Sequence, residues 1–262
     1  MGNPFTSIMS RIKSSSAAKG IASSGAYRAV YNTPPAYALR YSLNYLPIRD
    51  CIREIKKRGR IQDLGGLFDF ATSCTNGLIR PMQVKGEITE LLALLRERQI
   101  GTFMEIGTAN GGTLYLFCNV ASEDAFALSL DLPGEILGQG YQAYRLPLYR
   151  SFAQGGQRIS FIRDDSHAAA TREKAASLLS GRPLDFLFID GDHRYEGVRK
   201  DFEMYSPFVK KGGLVAFHDI SVEGVEGCEV KKYWDEIKAS HKHREIIRDE
   251  GKGSLGIGVL FM

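Results

Sequence analysis

Residues 102–113 read Thr102-Phe-Met-Glu-Ile-Gly-Thr-Ala-Asn-Gly-Gly-Thr113, and this stretch decides the fold. A short apolar run carries an acid, Glu105. A glycine-rich turn follows, and apolar residues then return at helical spacing. The pattern predicts a strand, a tight loop and a helix start. Glycine belongs where backbone turns sharply or comes close to a ligand. At the carboxyl end of a strand, such a loop lies where open α/β sheets hold ligands.

Downstream the same alternation repeats. Strands are expected at 102–106, 125–131, 159–163, 185–190, 214–218, 244–248 and 255–261, with helices at 111–121, 167–180, 195–209 and 228–240. Upstream, the run from Pro81 to Gln99 reads as a helix with Pro81 in its first turn and Val84, Ile88, Leu91, Leu92 and Leu95 as its buried stripe. The stretch 185–190 is nearly all apolar, as a central parallel strand should be. Strands alternating with helices predict an α/β fold with a doubly wound, mostly parallel, Rossmann-like sheet.

The chain has 262 residues, a natural length for one large α/β domain with an extension. Residues 1–80 read as a basic, partly disordered and partly helical N-terminal extension, and 81–262 as the catalytic domain. Residues 1–60 hold 11 Lys or Arg against 2 Asp or Glu, a balance of +9, while the remainder holds 23 against 28, a balance of −5. The basic character therefore belongs to the extension, which speaks against a nucleic-acid partner in the core. Residues 48–60 place Ile48, Cys51, Ile52 and Ile55 on one face among Arg53, Lys56, Lys57, Arg58 and Arg60. Such a segment suits either a solvated helix or a weak membrane-surface contact. Tyr27, Tyr31, Tyr37, Tyr41 and Tyr45 read as a helix packed on the domain or as a lid. The opening Met-Gly-Asn-Pro-Phe-Thr matches the myristoylation pattern. The scattered Cys51, Cys74, Cys118 and Cys228, with no visible signal peptide or membrane span, point to a reducing, cytoplasmic setting. A homo-oligomer stays open.

The loop itself discriminates between ligands. A dinucleotide fingerprint would put glycines at 107, 109 and 112, but position 109 is Ala. Glu105 would repel a pyrophosphate and attract a cation. S-adenosylmethionine (SAM), with a sulfonium, an ammonium and no phosphate, suits Glu105, Gly107, Gly111 and Gly112 better than NAD does. Strand two ends at Asp131, 24 residues after Gly107, near the spacing of about 20 at which an acid grips a ribose diol. Strand three ends at Asp164-Asp165-Ser166, placed to reach an adenine amino group, although Ser166 would also serve as a helix cap. Strands four and five end in Ile189-Asp190-Gly191-Asp192-His193 and Phe217-His218-Asp219. Two carboxylates and an imidazole at Asp190, His218 and Asp219 suit a divalent ion. His218 reads equally as a ligand and as a buried, hydrogen-bonded histidine. His193 is the candidate general base, because an imidazole titrates near neutrality.

Together these motifs resemble the class I SAM-dependent methyltransferases, most closely the branch of macrolide and sugar O-methyltransferases and cephalosporin-hydroxylase-like proteins. The resemblance rests on Glu105–Thr113, Asp131, Asp165-Ser166, Phe188–His193 and Lys211–Asp219 and covers roughly residues 80–262. It implies a seven-stranded sheet whose last strand is antiparallel. It implies that Gly107 and its neighbours Thr108, Asn110, Gly111 and Gly112 hold the methionine part, Asp131 the ribose, and Asp165-Ser166 the adenine. Metal-dependent relatives place acids at the positions of Asp190, His218 and Asp219, so His218 departs from that pattern; Mg²⁺ is the implied ion. A catalytic histidine three residues after the first metal acid matches His193. The implied reaction is O-methyl transfer to a sugar, glycan-like or other small-molecule hydroxyl. Residues 27–80 and 134–156 would wall the acceptor pocket, with Gln83, Tyr141 and Tyr144 facing it. Rival readings are a hydroxylase-like oxygenase on the same fold, a binding protein that retains the fold without turnover, and an NAD enzyme.

Overall fold

A computed structural model describes residues 34–133, 141–248 and 254–262, with the backbone alone for 34–41. The strands are β1 (Thr102–Ile106), β2 (Phe126–Asp131), β3 (Arg158–Arg163), β4 (Leu184–Ile189), β5 (Val209–His218), β6 (Lys242–Ile246) and β7 (Ile257–Phe261). They form one seven-stranded sheet in the order β3-β2-β1-β4-β5-β7-β6. Strands β1 to β5 pair in parallel, whereas β7 runs antiparallel to both β5 and β6. The chain winds outward from β1 to β3 and then crosses back to place β4 on the other side of β1. That reversal lies between β1 and β4, and there the carboxyl ends of neighbouring strands diverge to leave a crevice.

Helices cover both faces. They are α1 (Pro34–Arg58), α2 (Leu64–Ser73), α3 (Lys85–Glu97), α4 (Gly112–Val120), α5 (Leu146–Arg150), α6 (Ala169–Leu179), α7 (Tyr195–Tyr205) and α8 (Val230–Ile237). One core joins α1 to α5 to the sheet through Leu67, Leu91, Leu114, Phe117 and Phe186. The other joins α6, α7 and α8 through Leu179, Phe202, Phe217 and Trp234. Helix α4 is buried along its whole length, which its unbroken run of uncharged residues permits.

The basic helix α1 turns Ile48, Cys51 and Ile55 into the first core and leaves Arg53, Lys56 and Lys57 outside. Burying an isoleucine side chain stabilises by about 1.5–3 kcal/mol, so Ile48 and Ile55 anchor the helix to the body. Leu67, Ala71, Cys74 and Ile79 join the same core. Residues 48–79 thus pack as an integral layer of the fold. Gly2, on which the myristoylation reading rests, lies outside the described residues, as do Tyr27 and Tyr31, whereas Tyr37, Tyr41 and Tyr45 fall within helix α1 and Tyr45 is exposed. Among the described residues no helix is long and apolar enough to cross a membrane.

Two expectations are corrected. The helix expected from Pro81 begins at Lys85, with Val84 at its N-cap. Pro81 instead lies against the glycine loop, so close that a Cβ on Gly112 would come within 2.5 Å of its nitrogen. Ser166 does not cap the next helix, which starts at Ala169 after Ala168. Its carbonyl accepts a hydrogen bond from the Tyr205 hydroxyl instead.

Candidate active site

The loop after β1 is held by the sheet. Gly107 has φ +91, and a Cβ there would fall 1.9 Å from the Asp190 carbonyl oxygen. Only glycine lets the tips of β1 and β4 come this close. Asp131, ending β2, grips the loop. Its Oδ2 accepts the N–H groups of Thr108 (3.0 Å) and Ala109 (2.8 Å), and its Oδ1 accepts that of Leu132 (2.7 Å). Burial raises the Asp131 carboxyl, partly offset by those N–H groups. Arg145 clasps the far side by donating to Asn110 Oδ1 at 3.0 Å and to the Leu78 carbonyl.

A cavity of about 1000 Å³ opens over these tips. Its walls include Gly107, Asn110, Asp131, Asp165, Ser166, Asp190, His193, His218 and Asp219, so nine of the sequence-derived site residues meet in one space. Glu105, Thr108, Gly111 and Gly112 do not line it. Gly111 makes room for the Tyr149 ring, and Gly112 for the backbone of Ile79 and Pro81. The Thr108 hydroxyl lies 2.6 Å from that of Ser129.

Glu105 lies fully buried beneath the loop, and neither of its oxygens makes a hydrogen bond of acceptable geometry. Burial pushes its carboxyl up to about 8, only partly countered by the Thr113 and Thr108 hydroxyls. It is therefore largely protonated at neutral pH. The carboxylates facing the cavity are those of Asp131, Asp164, Asp165, Asp190, Asp192 and Asp219.

The acceptor walls also differ from expectation. Tyr141 is fully buried, with its hydroxyl 2.5 Å from that of Ser129. Tyr144 packs against the first core, and no described residue of 34–80 or 141–156 lines the cavity. Gln83 donates to Asp190 Oδ2 at 2.9 Å and so positions that carboxylate. Met82, Ile106, Ala109, Leu132 and Leu255 supply the apolar lining.

At the tips of β4 and β5, two acids and two histidines alternate. His218 Nδ1 lies 3.2 Å from Asp190 Oδ1 and 3.3 Å from Asp219 Oδ1. His193 Nε2 lies 3.3 Å from Asp190 Oδ1, and its Nδ1 lies 3.5 Å from Asp219 Oδ2. Asp219 adopts the left-handed φ of +64, which swings it back towards the cavity. Burial would raise Asp190, but His218 and His193 outweigh it and hold the carboxyl at about 2. Burial would lower His218, but Asp190 and Asp219 raise it to about 9. The bond to Asp190 lifts His193 above its ordinary value despite partial burial. Burial raises Asp219. Ligand atoms of Asp190, His218 and Asp219 lie within 4.8 Å of one another, near enough to share one ion after small adjustments.

Sequence reading missed Asp201, fully buried on α7, whose Oδ1 lies 3.3 Å from Nε2 of His167 in the cavity wall. The pair raises the His167 imidazole. An acid three residues from Val198, on the stripe that carries Phe202 and Tyr205, was the available signal.

Residues 104–220 match a family model described as a methyltransferase domain. The chain is 33% identical over 141 residues to "Uncharacterized protein R132" of Acanthamoeba polyphaga mimivirus, covering 53% of this chain and 61% of that protein. It is 30% identical over 171 residues to "Uncharacterized protein y4gI" of Sinorhizobium fredii, covering 63% of this chain and 18% of that one. The chain therefore spans only part of the length of the curated relatives it matches. In three dimensions it is similar to the O-methyltransferase TomG of Streptomyces achromogenes, solved with SAM, at TM-score 0.53 and 14% identity, over 78% of this chain and 91% of that one.

Proposed function

We propose that the chain carries a class I SAM-dependent methyltransferase domain and transfers the SAM methyl group to a hydroxyl of a sugar, glycan-like or other small-molecule acceptor. The observation that carries this reading is the His193–Asp190–His218–Asp219 cluster in the wall of the same cavity as Gly107, Asp131 and Asp165. A proton acceptor and the donor's seat thus share one space. SAM brings its own activation, because sulfonium is a good leaving group. Alignment of oxygen, methyl carbon and sulfur is then the chief demand on the protein. The acceptor O–C bond forms as the C–S bond breaks, S-adenosylhomocysteine leaves, and the hydroxyl proton passes to neutral His193 and on to solvent. The His193 side chain is 39% exposed, so it can reach both. Asp190, held by Gln83 and ionised by His218, orients the imidazole.

The donors of Asp190, His218 and Asp219 fit a divalent cation, although an imidazole departs from the all-oxygen shell that Mg²⁺ prefers. When bound there, an ion would act as a Lewis acid towards the acceptor oxygen.

Two imidazoles beside carboxylates also favour a second reading, the hydroxylase-like oxygenase, since two histidines and one carboxylate form a common non-haem iron set. The experiment that tests the first reading incubates the protein with SAM and a panel of hydroxylated small molecules and follows products by mass. A methylene gain on acceptor with stoichiometric S-adenosylhomocysteine supports methyl transfer. An oxygen gain that requires iron and O₂, without methylated product, supports the second.

A further inference from the structure

Cys228 takes no part in the reaction above, yet its sulfur lies within reach of it. Ligand atoms of His193, Asp219 and Cys228 all lie within 4.8 Å of one another. We propose that these three side chains form a binding site for a borderline transition-metal ion of the zinc class, and that an ion held there withdraws His193 from proton transfer. The consequence for turnover rests on His193 being the base; the site itself rests on geometry alone.

Three observations carry the assignment. First, the donors are one nitrogen, one oxygen and one sulfur, the mixture that zinc-class ions accept and that Mg²⁺ and Ca²⁺ do not. Three protein ligands leave a fourth position for water, and two of the three, His193 and Asp219, also line the large cavity. Second, the spacing suits a small ion. His193 Nδ1 and Asp219 Oδ2 are 3.5 Å apart. Two ligands about 2.1 Å from a tetrahedral ion stand roughly 3.4 Å apart, so this edge is already set and the sulfur needs only a modest approach. Third, the surroundings hold the ligands in place. The other nitrogen of His193, Nε2, faces Asp190 Oδ1 at 3.3 Å. This is the carboxylate–histidine arrangement that fixes the tautomer of metal-bound imidazoles. The Glu229 N–H donates to the His193 carbonyl at 2.7 Å, and Glu229 Oε2 accepts the Tyr195 N–H at 3.1 Å. The residue after Cys228 is thus tied on both sides of Arg194, next to His193. Cys228 is only half-buried and lines an open depression of about 350 Å³ with Val222, Gly224 and Glu229, so its sulfur can be reached from solvent. Binding releases the thiol proton to solvent and leaves the Cys228 sulfur as thiolate.

The site lends itself to spectroscopy, because Co²⁺ replaces zinc and shows a near-ultraviolet charge-transfer band when a thiolate binds it. Metal-stripped full-length protein is titrated with Co²⁺, then with Zn²⁺ in competition, beside Cys228→Ser and His193→Ala. The expected result is one equivalent of Co²⁺ with a thiolate band, displaced by Zn²⁺ but not by a large excess of Mg²⁺. The band is lost in Cys228→Ser, and Zn²⁺ affinity falls at least tenfold in both variants. The Zn²⁺ concentration that halves turnover rises at least tenfold in Cys228→Ser. No band, a band unchanged in Cys228→Ser, or displacement by Mg²⁺ overturns the proposal. S-adenosylhomocysteine calorimetry on the same samples separates the two readings. Heat of binding without a thiolate band sinks the metal site and leaves the methyltransferase reading standing; a band without that heat does the reverse.

Discussion

Replacing Glu105 by Gln tests whether the acid under the glycine loop is held neutral by burial. Its carboxyl stands at about 8, against an ordinary 4.5 for the free group. The sign follows from proton counts. Between these two values the unfolded chain has lost the proton and the folded chain has kept it, so stability falls as pH rises across this window. The fall is about 1.4 kcal/mol per pH unit. The full difference of roughly 3.5 units corresponds to about 5 kcal/mol, an upper figure because relaxation and entering water would lessen it. From pH 5 to pH 7 the loss is up to about 2.7 kcal/mol. Glutamine has nearly the same shape and no proton to lose. Glu105→Gln should therefore gain on the wild type steadily over this range, whatever constant offset its amide brings. Urea unfolding of both proteins at pH 5, 6, 7 and 8 and fixed ionic strength measures the gap. The other titrating groups are common to both proteins, so most of their contribution cancels; Asp190 and Asp131, whose charges raise the Glu105 carboxyl, supply the remainder. A gap that stays flat with pH would mean that Glu105 is ionised in the fold, and the desolvation argument would fail.

Binding of a cationic donor above the loop should ionise Glu105, so SAM titrations near pH 7 in buffers of differing ionisation heat should show proton release in the wild type and less in Glu105→Gln. Gly107→Ala should cost at least about 3 kcal/mol in urea unfolding, because its Cβ would overlap the Asp190 carbonyl and the residue would sit at positive φ; a loss under about 1 kcal/mol would show that the β1 and β4 tips can separate. His193→Ala should lower kcat by about 10²–10⁴-fold while calorimetry finds S-adenosylhomocysteine affinity within a few-fold of wild type; unchanged turnover would remove the assigned base. The wild-type rate should fall as pH drops, with its midpoint above the ordinary imidazole value near 6.5, because Asp190 favours protonated His193. Asp190→Asn should move that midpoint down, and a midpoint that does not move would exclude this coupling.

How much of this was legible beforehand follows the range of the forces involved. Strand β1 coincides with the predicted 102–106, and β4 lies one residue off, because unbroken apolar runs between polar ends have few other ways to be buried. Helix ends were less legible. Pro81 carried the local signature of a helix start, but its place is set by the bare surface of Gly112, a contact across the fold. The partners of the site acids were hidden for the same reason. No spacing rule connects Gln83 to Asp190 across 107 residues, or Glu229 to His193. The burial of Glu105 was hidden in the sequence because it depends on the loop folded over it. The acids at the strand tips were legible, since side chains at the ends of parallel strands must face the crevice.

The same geometry separates SAM from a dinucleotide more sharply than the missing glycine does. A pyrophosphate in a doubly wound sheet is held by free N–H groups of the first loop and by the helix that follows. Here the N–H groups of Thr108 and Ala109 are spent on Asp131 Oδ2. A phosphate would have to displace a carboxylate from two hydrogen bonds and then sit beside it. Asp131, Asp164, Asp165, Asp190, Asp192 and Asp219 all face the same cavity, and its described cationic side chains are Arg194 and, when protonated, the histidines. Two like charges 4 Å apart repel by about 4 kcal/mol near a protein surface, so each nearby acid counts against a phosphate and in favour of a sulfonium and an ammonium. Asp131 favours the SAM reading twice over: it occupies the donors a phosphate requires, and it supplies the charge a cation seeks.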